Sequence, residues 1–200
     1  MDETTKRLLI IFYRNPKMGK VKTRLAATVG NEKALEVFRK LSLHTKAITE
    51  TLPYDKIIFY TESIDLMDMW PNATYLKAMQ QGEDLGERMN HAFAAGFESG
   101  YGSICIIGTD CYELSADIIS EAFDALRSSD AVIGPARDGG YYLLGLKKSI
   151  PDVFTNKQWS TDTVFQDTVR VFDLLHLRYV KLKELTDVDT EDDLPEALRD

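Results

Sequence analysis

A basic segment near the start of the chain contains five lysine or arginine residues and no acidic ones: Arg14-Asn15-Pro16-Lys17-Met18-Gly19-Lys20-Val21-Lys22-Thr23-Arg24. The whole chain has a formal net charge of -8, so this segment departs from its general composition. A segment of this kind binds an anion such as phosphate, or it forms a solvated basic loop. We predict an anion site that uses Lys17, Lys22 and Arg24, because a loop with a single glycine must neutralise phosphate mainly with side chains.

Aspartates occur where the sequence predicts that strands end. Asp110 follows the apolar run 103–108, and ligands of open α/β sheets bind beyond the carboxyl ends of the strands. A carboxylate there can hold a divalent cation that bridges nucleotide phosphates, although aspartate is also common in turns and caps. Asp187 and Asp189 lie on the same side of an extended segment. They either help to hold a cation or belong to a solvated acidic tail, with Asp189 or Thr190 capping a terminal helix.

Two segments with glycines also adjoin predicted strands. Asp138-Gly139-Gly140-Tyr141 joins two strands, and its glycines permit positive φ and close approach of the backbone to a ligand. Asp-Gly is equally an ordinary hairpin turn. The segment 81–88 lies between a strand and a helix, and it ends at Arg88. This arginine either reaches a nucleotide base or phosphate, or pairs with Asp84 one helical turn earlier.

Several other kinds of site are disfavoured. The three histidines, His44, His91 and His176, have no metal-ligand spacing, and Cys105 and Cys111 match neither a zinc pair nor a redox pair. No serine hydrolase elbow is present. What remains is a set of cations and carboxylates at strand ends, which suits phosphoryl or pyrophosphate chemistry.

The elements that must position these residues alternate between strands and helices. This alternation predicts an α/β fold, with helices on both faces of a sheet. We predict strands at 8–13, 56–61, 73–79, 103–108, 130–135, 141–146 and 176–182, and helices at 22–51, 84–97, 115–126 and 161–175. The strands 130–135 and 141–146 are close enough to form a hairpin-like pair, so the sheet is predicted to be mixed. Ser115 is predicted to cap the helix that follows it.

The length and composition indicate the general class of the protein. Two hundred residues predict a single domain that spans 1–200. With 44% hydrophobic and 28% charged residues, no apolar run long enough to cross a bilayer and no signal peptide, we expect a soluble, cytoplasmic protein. The negative charge argues against nucleic-acid polymers as partners and leaves small anions. No oligomeric state follows from the sequence.

Six segments, in order along nearly the whole chain, carry a family resemblance. They are Pro16-Lys17-x-Gly19-x-Val21-Lys22-Thr23-Arg24-Leu25, Gln81-Gly82-x-x-Leu85-Gly86-x-Arg88-Met89, Gly108-Thr109-Asp110-Cys111, Gly134-Pro135-Ala136-x-Asp138-Gly139-Gly140-Tyr141-Tyr142-Leu143-Leu144-Gly145, Trp159-Ser160-Thr161 and Asp187-Val188-Asp189-Thr190. Together they resemble a bacterial family of nucleotide-diphospho-sugar transferases, also called rSAM/selenodomain-associated transferase 1. The resemblance implies a single-domain, three-layer GT-A or Rossmann-like fold with a mixed, mostly parallel sheet. Nucleotidyltransferases such as 2-phospho-lactate guanylyltransferase share this fold.

The resemblance also implies roles for the matching residues. Those implied to bind the nucleotide are Lys17, Lys22, Arg24, Gln81, Gly82 and Arg88. Those implied to line the acceptor side are Gly139, Gly140 and Tyr141. The implied catalytic residues are Asp110 and Asp138, and the implied ligands of Mg2+ or Mn2+ are Asp110 and Asp189. At Tyr112 members of the family usually have proline, and its loss predicts a freer loop after Asp110.

Three functions follow as hypotheses. The leading one is a divalent-metal-dependent glycosyltransferase that uses a nucleotide-diphospho-sugar donor and a small-molecule acceptor. The alternative is a nucleotidyltransferase, in which a phosphorylated acceptor attacks a nucleoside triphosphate and pyrophosphate leaves. The five cations of the basic segment suit a triphosphate, whereas the glycine-rich first loop of many such enzymes is absent. The third hypothesis is a non-catalytic nucleotide sensor.

Overall fold

A seven-stranded sheet forms the centre of the computed structural model, which describes residues 6–199. The strands are β1 (Arg7–Tyr13), β2 (Asp55–Tyr60), β3 (Leu76–Met79), β4 (Ser103–Ile107), β5 (Ala131–Pro135), β6 (Tyr141–Leu146) and β7 (Tyr179–Lys181). The helices are α1 (Thr23–Val29), α2 (Asn31–Thr49), α3 (Leu85–Glu98), α4 (Ala116–Ala125) and α5 (Val164–Leu174). In space the strands follow the order β3-β2-β1-β4-β6-β5-β7.

The sheet is mixed and mostly parallel, as predicted. β1 pairs in parallel with β2 and β4, β2 with β3, and β5 with β7. β6 is the exception, since it runs antiparallel to both β4 and β5. The predicted hairpin-like pair is therefore β5 and β6. Because β6 is reversed, its first residue lies at the same edge of the sheet as the last residues of β1 and β4.

The hydrophobic core lies on both faces of the sheet, which explains the continuous apolar runs in its central strands. In β1, Leu9 and Ile11 pack into one cluster with residues of α2 and α4, whereas Leu8 and Ile10 pack into another with residues of α3 and α5. This alternation follows the two-residue period of a strand. The result is a three-layer α/β fold, and the predicted fold class is confirmed.

The predicted boundaries differ from the structure mainly at helix ends. The predicted helix 22–51 is divided into α1 and α2 at Gly30, whose φ of 84° and ψ of 161° are not helical. The last helix begins at Val164 rather than at 161, and β7 is shorter than predicted. Ser115 caps α4 as predicted, because its hydroxyl accepts a hydrogen bond from the backbone N–H of Ile118 at 3.3 Å.

The acidic C-terminal segment does not begin with the predicted helix cap. Instead, one carboxylate oxygen of Asp193 accepts hydrogen bonds from the backbone N–H groups of Asp189 and Thr190 and from the hydroxyl of Thr190. Asp189 is thus held in place by its backbone, and its side chain is left to make other contacts. Cys105 and Cys111 are both buried free thiols. In residues 6–199 no helix is long and apolar enough to cross a membrane.

Candidate functional site

A cleft of about 990 Å³ lies at the edge of the sheet where β1 and β4 end and β6 begins. The ends of these strands supply Tyr13, Asp110 and Tyr141 to its lining. This is the edge at which open α/β sheets bind their ligands. A smaller cavity of about 290 Å³ lies between α3 and the β2–β3 side of the sheet, and its lining is mainly apolar.

Lys22 lies at the base of the cleft with only 4% of its side chain exposed. Its Nζ is 2.5 Å from Oδ1 of Asp110 and 3.4 Å from Oδ1 of Asp189. Burial by itself lowers the pKa of Lys22, but the nearby carboxylates of Asp110, Asp189 and Asp187 outweigh it and hold the pKa above its ordinary value. Lys22 therefore stays positively charged although it is buried.

The local fold explains how Lys22 reaches this position. It immediately precedes α1 and adopts left-handed backbone angles, with φ 47° and ψ 46°. Such angles are uncommon for a residue with a Cβ and cost about 1 kcal/mol. Its carbonyl still accepts the first helical hydrogen bond, from Ala26 N–H at 2.8 Å. The strained backbone and the two ion pairs together indicate that the Lys22 side chain is positioned to contact charged groups in the cleft rather than to cap α1.

Two distant parts of the chain meet beside Lys22. The loop after β4 is joined to the 187–189 segment by an antiparallel bridge between Cys111 and Asp187, and Val188 N–H donates to the carbonyl of Asp110 at 2.9 Å. Thr186 N–H donates to Glu113 Oε2 at 2.7 Å. This pairing brings the carboxylates of the two segments together. It also holds the loop after Asp110, which was predicted to be freer because Tyr112 replaces proline.

Asp187 is the most perturbed carboxylate of the cleft. Burial, followed by the carboxylates of Asp110 and Asp138, raises its pKa to about 7, and Lys22 opposes this rise only in part. The carboxylates around Lys22 therefore carry more negative charge than Lys22 neutralises. Asp187 was predicted to lie on the same side of its segment as Asp189 and either to help hold a cation or to belong to an acidic tail, whereas the family resemblance implied only Asp110 and Asp189 as metal ligands.

The donor chemistry of this group fits a hard divalent cation. Mg2+ is commonly bound by one or two protein carboxylates together with phosphate oxygens and water, and Asp110 and Asp189 offer such carboxylates on either side of Lys22. Among the described residues, no group of three or more His, Cys, Asp or Glu side chains is arranged to hold a metal ion by itself. The residues thus fit a cation that is bound together with a phosphate ligand.

The cleft is also lined by the start of α3, the β5–β6 turn and the 159–162 segment. Asp138 Oδ1 accepts from Gly140 N–H at 2.9 Å, and the carbonyl of Gly139 accepts from Phe165 N–H at 2.8 Å. Gly139 has φ 89°, and a Cβ there would lie 2.0 Å from the carbonyl oxygen of Asp162. Only glycine permits this contact, which fixes the 159–162 segment against the turn.

Trp159 packs on the first turn of α3. A Cβ at Gly86 would lie 2.3 Å from Nε1 of Trp159, so the indole occupies the space that a larger residue would take. Lys157 Nζ lies 5.7 Å from the centre of a Trp159 ring and donates to Thr168 Oγ1 at 2.5 Å. Burial lowers the pKa of Lys157 to about 8, and Asp167 opposes this shift.

The structure brings together most of the predicted site residues. Those that line the cleft are Lys22, Arg24, Arg88, Asp110, Asp138, Gly140, Tyr141 and Asp189. Arg24 lies 3.4 Å from Asp189 Oδ2 through its NH1 atom. Arg88 does not pair with Asp84, because its Nε donates to the carbonyl of Gly82 at 3.0 Å while Asp84 caps α3.

Four predicted residues do not line the cleft. Lys17 forms an ion pair with Glu62 at the surface. Gln81 lines the smaller cavity, and its carbonyl lies 2.8 Å from Nδ1 of His91. Gly82 contributes only the carbonyl that holds Arg88, and Gly139 supports the neighbouring segment.

The cleft also contains three residues that were not predicted as individual site residues. They are Arg14, Asp162 and Trp159. Two of these residues have a signal in the sequence: Arg14 directly follows the first strand, and Trp159 belongs to one of the six resemblance segments.

Comparisons with known proteins agree with this architecture. Residues 44–161 match the family model described as "Uncharacterized protein conserved in bacteria (DUF2064)". A crystal structure from Desulfovibrio desulfuricans G20, provisionally described as a nucleotide-diphospho-sugar transferase, is 35% identical with a TM-score of 0.86. The match covers 94% of this chain and 84% of that one.

More distant structures share the fold alone. 4-Diphosphocytidyl-2C-methyl-D-erythritol synthase from Anaerococcus prevotii DSM 20548 is 12% identical, with a TM-score of 0.60 and coverage of 94% of both chains. The inositol-1-phosphate CTP transferase from T. maritima is 10% identical, with a TM-score of 0.58 and coverage of 97% of this chain and 94% of that one. No curated protein matches the chain.

Proposed function

The chain belongs to the bacterial DUF2064 family, and from this premise we propose that it is a transferase that uses a nucleotide-diphospho-sugar donor. The Desulfovibrio relative supports this proposal, because its provisional description agrees with the family that the six sequence segments resemble. The nucleotide would bind in the large cleft, with its phosphates at the end where β1 and β4 terminate.

One observation carries the proposal: a buried, charged lysine at the base of the cleft is surrounded by carboxylates. Lys22 has 4% of its side chain exposed, contacts Asp110 and Asp189, and has Asp187 close by. A buried ammonium group beside hard oxygen donors suits the diphosphate of a nucleotide, which needs both positive charge and a cation. A purely structural ion pair would not require a third carboxylate.

Asp110 and Asp189 are the residues that would hold Mg2+ or Mn2+. The chemistry that a divalent cation supplies when bound is stabilisation of the negative charge that develops on the leaving nucleoside diphosphate. Lys22 contacts both carboxylates, and Arg24 contacts that of Asp189. When a nucleotide binds, each cation would replace part of this contact with contacts to phosphate oxygens. Arg14, at the end of β1, adds a third cation to the same wall.

Asp138 is the residue proposed to act on the acceptor. It lies in the turn between β5 and β6, lines the cleft and is close enough to Asp187 to affect its pKa. In the proposed reaction the acceptor hydroxyl oxygen forms a bond to the anomeric carbon of the sugar, and the bond from that carbon to the phosphate oxygen breaks. The nucleoside diphosphate leaves with the bonding electrons, and the hydroxyl proton passes to the carboxylate of Asp138.

Nucleotidyl transfer is the second candidate. The three cations on one wall, Arg14, Lys22 and Arg24, would also suit a triphosphate. In that reaction a phosphorylated acceptor attacks the α-phosphate and pyrophosphate leaves. The two reactions therefore differ in their products.

The test is product analysis. The protein is incubated with Mn2+ or Mg2+ and either UDP-, GDP-, CDP- and ADP-sugars or the four nucleoside triphosphates, with mixed acceptors. We expect release of a nucleoside diphosphate from one sugar nucleotide, with loss of activity in EDTA. Pyrophosphate without nucleoside diphosphate would overturn glycosyl transfer in favour of nucleotidyl transfer. Tight nucleotide binding that ignores EDTA, without turnover, would indicate a sensor.

A further inference from the structure

The cations of the cleft are unevenly distributed between its two walls. Arg14, Lys22 and Arg24 all lie on the wall formed by the basic segment, the loop after β4 and residues 187–189, which we call the nucleotide wall. The rest of the lining, formed by the start of α3, the β5–β6 turn and residues 159–162, is called the acceptor wall. The charged cleft residues of the acceptor wall are Glu83, Asp84, Asp138, Asp162 and Arg88.

The single arginine of the acceptor wall is anchored to the backbone through one nitrogen. Arg88 is half-buried, and its Nε donates to the carbonyl of Gly82 at 3.0 Å. In contrast, Glu83, Asp84, Asp138 and Asp162 are all exposed in the cleft. Within residues 6–199 the carboxylate of Asp162 has no ion-pair or hydrogen-bond partner. A phosphate group brought to this wall would meet four carboxylates of its own sign and one guanidinium group, so the net repulsion disfavours binding.

The rest of the acceptor wall is apolar and aromatic. Trp159 and Leu85 are partly exposed beside the buried Met89. Among the residues that the structure describes, the hydroxyl of Tyr141 has only the thioether sulfur of Met89 as a partner, at 3.7 Å. A thioether is a weak acceptor, so this buried hydroxyl is only weakly satisfied within the protein. Aromatic faces next to carboxylates suit a molecule with an apolar ring face and several hydroxyl groups.

We propose that the acceptor is an uncharged, polyhydroxylated molecule such as a sugar, which stacks on Trp159 and donates its hydroxyl groups to Asp138 and Asp162. A phosphorylated acceptor is rejected by the same carboxylates. A cationic acceptor is disfavoured beside Trp159, because the ammonium group of Lys157 lies 5.7 Å from the centre of a ring of that residue. This inference rests on the proposed glycosyl transfer and names its acceptor class.

The experiment measures binding of matched sugars to the protein saturated with Mn2+ and a nucleoside diphosphate. The neutral probes are glucose, mannose, galactose and N-acetylglucosamine, and each is paired with its 6-phosphate. Quenching of tryptophan fluorescence reports contact with Trp159, because the other tryptophan, Trp70, is fully buried in the core. We expect at least one neutral sugar to bind and its phosphate to bind about tenfold more weakly, because like charges repel across a hydrated cleft.

Three variants complete the test. Trp159→Ala should weaken binding of the neutral sugar about tenfold, and Trp159→Phe should retain most of it, because a ring face remains. The double variant Glu83→Gln and Asp162→Asn should reduce the difference between a sugar and its phosphate. Nucleotide affinity, measured separately by calorimetry, should stay unchanged in Trp159→Phe.

The outcomes separate this inference from the proposed function. Tighter binding of the phosphorylated sugars, or neutral binding that is unaffected by Trp159→Ala, would overturn the acceptor class. Binding of no neutral sugar by a protein that does bind nucleotide would also overturn it and would leave the nucleotide site intact. If no nucleotide binds, it is the proposed function that fails.

Discussion

Lys22 and Lys77 are both buried against aspartates, with 4% of each side chain exposed, yet their surroundings differ. Lys77 Nζ donates to Asp68 Oδ1 at 2.7 Å and to the carbonyl of Asp65 at 2.6 Å. Asp68 also accepts hydrogen bonds from the hydroxyl of Tyr60 at 2.5 Å and from the backbone N–H of Trp70 at 3.0 Å. This network is closed, because one carboxylate serves several donors within the protein.

The surroundings of Lys22 are open by comparison. Its partners Asp110 and Asp189 keep 45% and 35% of their side chains exposed to the cleft, and Asp187 adds another carboxylate. Removal of one partner from a satisfied buried ion pair is costly to stability, whereas a buried charge among excess carboxylates at a cleft is suited to bind a ligand. The difference between the two lysines therefore separates a structural ion pair from a functional one.

Removal of Asp68 should have the largest effect on stability. Asp68→Ala leaves the ammonium of Lys77, the Tyr60 hydroxyl and the backbone N–H of Trp70 without their carboxylate partner. We expect the free energy of unfolding to fall by about 3–5 kcal/mol, because an uncompensated buried charge is costly. Urea denaturation measures the loss. Nucleotide affinity below the transition should be unchanged, and a loss of affinity would show that the network also supports the cleft.

Removal of Lys22 should affect nucleotide binding strongly and stability only slightly. Lys22→Met should weaken binding of a nucleoside diphosphate about 10- to 100-fold, because a charged hydrogen bond to phosphate is lost. The free energy of unfolding should fall by about 1 kcal/mol, since the released carboxylates are partly hydrated. Calorimetry and urea denaturation measure the two quantities. A large loss of stability with unchanged affinity would make Lys22 structural, like Lys77.

A smaller effect is expected within the basic segment. Arg24 has 66% of its side chain exposed and lines the cleft, whereas Lys17 pairs with Glu62 outside it. Arg24→Ala should weaken nucleotide binding about fivefold and reduce its dependence on salt, because an exposed contact is screened. Lys17→Ala is the matched control and should leave affinity unchanged. Equal losses for both variants would place the nucleotide over the outer loop.

The smallest expected effect concerns Lys157, a lysine that is partly buried without a carboxylate contact. Burial lowers its pKa to about 8 in the folded protein, so between about pH 8 and its ordinary value of 10.5 the unfolded chain binds more protons. The contribution of Lys157 to stability therefore becomes more favourable as the pH rises through this window. Lys157→Met should be more stable than the parent at pH 7, and the difference should shrink towards pH 10. Melting temperatures measured across this range check it, and a constant difference would contradict it.

The fold could be predicted from the sequence because hydrophobic runs and their periods are local signals. The strand β6 was predicted with its observed bounds, and β1 with one residue missing. The division between α1 and α2 was missed because the apolar stripe continues past Gly30, although glycine is a common signal for the end of a helix.

The site could be predicted only in part, because it depends on contacts between distant residues. Asp110 was found from its position after a strand, but the pairing of Cys111 with Asp187 joins segments whose relation the sequence does not encode locally. Composition also does not tell which side chains of a basic loop turn inwards. Lys22 does so because of its left-handed backbone, and Lys17 turns towards Glu62.

The central claim is that Lys22 and its carboxylates receive the diphosphate of a nucleotide. The most direct measurement is a crystal structure of the protein with a nucleoside diphosphate and Mn2+, in which anomalous scattering locates the metal. We predict a manganese peak beside Asp110 and Asp189, with diphosphate oxygens in contact with Lys22. A diphosphate bound elsewhere, with Lys22 still paired to both aspartates, would contradict the account.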